Sequence, residues 1–147
     1  MNLKKYFLIL TIIFIGNYLY GQNEILGKWL PADKLGHIEI FKENSKYYGR
    51  IICVNEPINP KTGDYWQDSN NPDSSKRKRK IVGIRMMFNF EYNQKTKEFI
   101  NGKLYDVRTG KTYKGKMWLD NNKLVLRGYW FLFYQTEKWE RVKDTCG

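Results

Sequence analysis

Histidine is nearly missing: His37 is the only one among 147 residues. A serine or cysteine triad needs a base, so a single position could supply the imidazole. Zinc sites usually take three or four protein ligands, and no paired cysteine stands beside His37. The Gly-x-Ser-x-Gly nucleophile turn is absent. Carboxylate pairs show no telling spacing. Asp106, next to Tyr105, precedes Arg-Thr-Gly110, where an aspartate ordinarily makes a turn. We therefore expect no enzyme, no metal and no cofactor. Zinc-finger spacing and strand-embedded aromatic RNA signatures are missing too, so nucleic acid is not an expected partner.

Long apolar runs are absent except at the start. Lys4 and Lys5 precede an apolar run over residues 6–16 that holds one threonine. It is far shorter than the roughly twenty residues that span a bilayer. With a small residue at Gly21, this is the layout of a signal peptide over residues 1–21. Residues 22–147 then form one domain, exported to the periplasm or secreted, and not membrane-spanning after cleavage. Removing residues 1–21 takes away two lysines and no acids, so the net charge falls from +11 to +9. Such a basic protein is drawn to anionic surfaces.

Cysteine is scarce, with Cys53 and Cys146 alone. Export permits a disulfide between them. It would close a loop of roughly ninety residues, and the chain-entropy model gives it about 4–5 kcal/mol. Cys53 also lies in an apolar, strand-like run, where a buried free thiol fits equally. Both readings stand at this level.

What is plentiful is alternation. His37-Ile-Glu-Ile-Phe41 has period two, and residues 46–54 are β-branched and aromatic. In residues 81–91, Val82, Ile84, Met86, Phe88 and Phe90 are expected to share one face of a strand. Short polar turns separate the runs near residues 42–45, 93–97, 106–110 and 120–122. Eight strands follow, near 26–30, 36–43, 46–54, 80–91, 98–105, 111–119, 123–130 and 136–142. Joined by hairpins they form an all-β, antiparallel meander, which removes its edges by closing into an up-and-down barrel. Closure would set Trp29 of the first strand beside Trp139 and Arg141 of the last. An arginine over a tryptophan face there would plug one end, a structural role.

The ordered pieces Gly27-x-Trp29, Tyr48-Gly49-x-Ile51, Asn71-Pro72-Asp73, Gly83, Gly102-Lys-Leu-Tyr-Asp106, Gly110-Lys-Thr-Tyr113, Leu124-x-Leu126-Arg-Gly-Tyr129 and Trp139-x-Arg141 run across nearly the whole expected mature chain. This set resembles the bacterial family called domain of unknown function 2147. The resemblance implies a small exported protein with a lipocalin-like barrel, and it brings no activity. Val107 stands where the family usually has proline. Residues 130–134, Trp-Phe-Leu-Phe-Tyr, are bulkier than the glycine-containing stretch expected there.

Residues 55–80 form a long connection, and loops of that length are usually functional or disordered. Pro57, Pro60 and Pro72 restrict it, and Trp66 could anchor it as a lid over the barrel mouth. Asp64, Asp68, Asn70, Asn71 and Asp73 lack the spacing of a calcium loop and read as turn formers. The run Lys76, Arg77, Lys78, Arg79, Lys80 reads as a solvated loop or a patch for an anionic envelope surface.

Small barrels either fill with side chains or hold one small ligand. The first expectation is a monomeric binding module for an apolar or amphipathic molecule. Val82, Ile84, Met86, Phe88, Phe90 and Trp66 would form its wall, with Tyr113, Met117 and Trp118 as further lining. The same residues could equally fill a solid core. The alternative is a packed envelope protein whose basic surface holds anionic glycan or lipid.

Overall fold

The computed structural model describes residues 21–144 and Cys146. The expected signal peptide therefore lies, but for Gly21, outside the described residues. Eight strands follow in chain order: β1 (Gly27–Leu30), β2 (Gly36–Glu43), β3 (Lys46–Val54), β4 (Arg85–Asn93), β5 (Glu98–Asp106), β6 (Lys111–Asp120), β7 (Lys123–Trp130) and β8 (Phe133–Val142). Each pairs antiparallel with the next, and β1 pairs with β8, so the sheet is a closed barrel. Closure leaves no row of unpaired backbone groups along an edge.

Local chemistry explains the sharp corners. Asn44 and Ser45, and likewise Asn121 and Asn122, take positive φ in two-residue turns. That geometry matches strand twist and favours asparagine. The meander sends alternate turns to opposite ends. Residues 44–45, 94–97 and 121–122 lie at one end; 31–35, 55–84, 107–110 and 131–132 lie at the other.

The first end is shut. Ile25, Trp29, Tyr47, Phe90, Phe99 and Trp139 are buried there. Tyr47 meets Phe99 edge to face with centroids 4.6 Å apart. Trp29 pairs with Arg141 across the seam, and the Arg141 guanidinium lies 4.2 Å from the indole centroid. Arg141 also donates to the carbonyls of Leu26, at 2.9 Å, and Glu24, while Trp29 Nε1 donates to Ile25 O at 2.9 Å. The segment before β1 is thereby strapped across the barrel floor.

The single-face reading of residues 82–90 needs correction. Ile84, Met87 and Phe90 are buried, Met86 and Phe88 are half-buried, and Val82 is exposed. Two register shifts against β3 cause this: Tyr47 faces Phe90, Gly49 faces Met87, and Arg50 faces Arg85. An extra β4 residue at each shift turns the following side chains to the other face. Asn89, with φ 58°, sits in one of these bulges. Strand β4 also begins at Arg85 rather than near residue 80, because a turn from Ile81 to Ile84 with Gly83 at φ 94° precedes it. Strand β8 begins three residues earlier than expected, at Phe133.

Candidate functional site: the open end of the barrel

Above the floor the barrel is hollow. A cavity of about 530 Å³ opens between the turns of the second end. Its wall follows from strand alternation: Ile38 of β2, Ile51 of β3, Met86 of β4, Leu104 of β5, Tyr113 of β6 and Leu126 of β7 reach it. Gly128 lines it as well, and a Cβ there would meet only Leu104 Cδ1, at 3.4 Å. The missing side chain leaves room that its neighbours do not fill. The floor of the cavity is Trp139, already part of the plug.

Few polar groups face this apolar space. Gln135 and Glu137 of β8 line it two residues apart, hence on one face of the strand. The Glu137 carboxylate accepts Trp139 Nε1 at 3.1 Å and Gln135 Nε2 at 3.2 Å. At the rim stand Leu35, Ile81, Val107, Arg108, Trp130 and Phe133. Apolar walls with a few placed polar groups, at a volume between roughly 300 and 1,000 Å³, are what small-molecule sites have in common.

The connection of residues 55–84 is fastened beside this mouth. Asp68 is fully buried and central. Tyr105 Oη donates to its Oδ1 at 2.5 Å, and Asn71 Nδ2 donates to its Oδ2 at 2.6 Å. Arg79 adds Nε at 3.0 Å and Nη2 at 2.8 Å to the same Oδ2. Burial, and then the Asp68 carboxylate, push the Tyr105 phenol up to about 12. Asn70 Nδ2 donates to Arg108 O at 2.7 Å. Gly110 lets the loop come this close, since a Cβ there would stand 1.8 Å from Asn70 O.

The basic run serves this loop. Lys76 pairs with Asp73 at 2.8 Å, Arg77 Nε donates to Asn71 O at 2.8 Å, and Lys80 lies 3.6 Å from the Tyr65 ring centroid. With Arg79 on Asp68, four of the five cations have partners inside the loop; Lys78 is exposed. Hydrogen bonds from Lys76 first, and then from Ser75, hold the Asp73 carboxyl down at about 2. Asp73 caps a short 3-10 turn, Ser74–Lys76. Asn71 Oδ1 accepts the Asp73 amide at 2.9 Å. The oxygens of Asp68, Asn71 and Asp73 are therefore engaged by protein donors.

Not all the residues named from the sequence meet at the cavity. Met86 lines it; Val82, Ile84, Phe88 and Phe90 do not. Trp66 is not in the mouth: it donates Nε1 to Glu56 O at 2.8 Å, within its own loop, and lines a separate pocket of about 450 Å³ with Ile81 and Val107. Tyr113 lines the main cavity, Met117 is buried in the core, and Trp118 lies beneath Lys116 and Arg127. Sequence reading missed the inner wall of β7 and β8, namely Leu126, Gly128, Gln135 and Glu137. It also missed the Asp68–Tyr105 bond, although Asn71 and Tyr105 both fall in pieces that carried the family resemblance.

Cys53 and Cys146 form a disulfide with Cα atoms 5.9 Å apart, tying the C-terminal segment to the end of β3. His37, Cys53 and Cys146 bring their ligand atoms within 4.8 Å of one another. With both sulfurs committed to the disulfide, His37 is left as the one free donor of that group. No helix among the described residues is long and apolar enough to cross a membrane.

A closed eight-stranded meander, plugged at one end and holding an apolar cavity at the other, is a lipocalin-like barrel. The profile of the family described as "uncharacterized protein conserved in bacteria" (DUF2147) matches residues 27–141, and the chain belongs to that family. The fold is similar to that of protein HP1028 from Helicobacter pylori, described as belonging to the lipocalin family. The TM-score is 0.67 at 22% identity, over 82% of this chain and 84% of that one. No curated protein sequence matches the chain.

Proposed function

We propose that this protein is an exported carrier that holds one small apolar or amphipathic molecule inside the barrel. The observation that carries the reading is the cavity of about 530 Å³, mostly apolar along its walls, with Gln135, Glu137 and a few tyrosines among its polar lining. The wall residues favour an acyl or ring system. The Glu137 carboxylate and Gln135 amide favour a hydroxyl or amine at the end that enters first. The disulfide and the amino-terminal charge and apolar pattern support export, with residues 1–21 as the removable signal. Four of the five basic residues at 76–80 bind their own loop, which speaks against that run as a ligand surface.

Filling the cavity tests this. Gly128→Leu would extend a side chain into the space that Gly128 leaves beside Leu104. The variant should stay folded and lose most uptake of a fluorescent fatty-acid probe, while Gly128→Ala should retain it. Equal uptake by all three proteins would show that the probe binds elsewhere.

A further inference from the structure

The most anomalous surface on the molecule is the β7–β8 turn. Trp130, Phe131, Leu132, Phe133 and Tyr134 are consecutive and exposed, Phe131 by 89% and Leu132 by 82%. Contiguous apolar exposure of this kind marks an interaction site. Exposure continues through Thr136, so side chains on both faces of the strand reach solvent. Phe131 and Leu132 form the projecting tip, beyond the last strand pair, Trp130 with Phe133.

The turn itself is built against local preference. The other two-residue turns use Asn44-Ser45 and Asn121-Asn122, polar residues suited to positive φ. Here Phe131 takes φ 54°, at a position where glycine is favoured. A bulky residue in that region is strained. Such strain persists where a site requires it.

We propose that this hairpin docks the protein on an anionic phospholipid bilayer, with Phe131 and Leu132 entering the acyl boundary. A projecting tip that is apolar on both faces suits a medium that surrounds it; a flat protein partner would cover one face. Phe131 and Leu132, one residue beyond the Trp130–Phe133 pair, are placed to enter first, toward the roughly 5–10 Å depth at which interfacial apolar groups sit. Trp130 and Tyr134 flank the tip as aromatics do at a headgroup layer. Cations stand behind them: Lys111 Nζ is 5.9 Å from the Trp130 ring centroid, and the Arg127 guanidinium is 4.3 Å from that of Tyr134. With residues 1–21 removed the net charge is +9, and the protein is attracted to anionic headgroups. Trp130, Phe133 and Tyr134 also line the cavity rim, so docking turns the mouth toward lipid. The docking stands whether or not the cavity is filled.

The experiment is flotation of the full barrel, disulfide intact, with vesicles of equal parts phosphatidylcholine and phosphatidylglycerol. The double variant Phe131→Gly/Leu132→Asn gives the turn residues that suit its backbone, so its melting temperature should match or exceed that of the wild type. The wild type should float with these vesicles and only weakly with pure phosphatidylcholine. The variant should lose about ten-fold or more of the partitioning, as expected from the apolar area withdrawn from lipid. Added salt should weaken wild-type binding without abolishing it. A wild type that stays with the soluble fraction overturns the proposal, as does binding the variant retains. Concentration-dependent dimerisation that the variant abolishes, without vesicle binding, would assign the hairpin to a second copy instead and equally overturn it.

Discussion

At the residue scale, the buried Asp68 carboxylate organises the open end. A buried carboxylate is costly unless its lone pairs are met, and here Tyr105, Asn71 and Arg79 meet them. Tyr105→Phe removes one donor and leaves Oδ1 without it. We predict a loss of about 1–3 kcal/mol in urea unfolding at neutral pH. The same group sets an alkaline window. Its pKa is raised from 10.0 to about 12 in the fold, so below pH 10 the phenol is protonated in folded and unfolded chains alike. Between those values the unfolded chain gives up the proton while the fold keeps it, and stability falls as pH rises. The decline should be shallower in Tyr105→Phe, measured as the unfolding midpoint against pH. No local pattern announced this pair. Asp68 and Tyr105 lie 37 residues apart, and Asp68 reads as one more turn former in a polar loop.

At the element scale, most strands could be read from period-two alternation, and the exception is instructive. The stretch of residues 82–90 has the most regular apolar spacing in the chain, yet two bulges in β4 break its single face. Bulges move side chains between faces without changing composition, so alternation alone misplaces the cavity wall. The connection of residues 55–84 also defied its polarity. It is an ordered rim, with isolated bridges from Ile58 to Tyr65 and from Gln67 to Lys80. Its seat on the β5–β6 turn depends on Gly110, where φ is 69° and Asn70 O fills the space a Cβ would need. Gly110→Ala should lift the loop from that turn while the barrel stays closed. Trypsin should then cut within residues 76–80 several-fold faster than in the wild type, with far-ultraviolet circular dichroism unchanged. Unchanged cleavage would mean that the Asp68 network alone holds the loop.

At the scale of the whole molecule, two ends of one barrel do different work. The end with the Trp29–Arg141 stack is sealed by side chains and by the segment before β1. The other is left open beneath a rim of loops and exposed aromatics. The sequence pointed to closure, through hairpin spacing and the tryptophans at both termini of the meander. It did not reveal a hollow interior. Whether inward residues meet depends on small residues such as Gly128, whose position inside the wall emerges only once the strands are registered. The central claim is that the hollow is a binding site. Native mass spectrometry of the protein secreted by a bacterial host tests it most directly. The account predicts a reproducible added mass of a few hundred daltons, released on denaturation, extractable into organic solvent and absent from Gly128→Leu. A bare chain mass from wild type and variant alike, with no uptake of the fatty-acid probe, would contradict it.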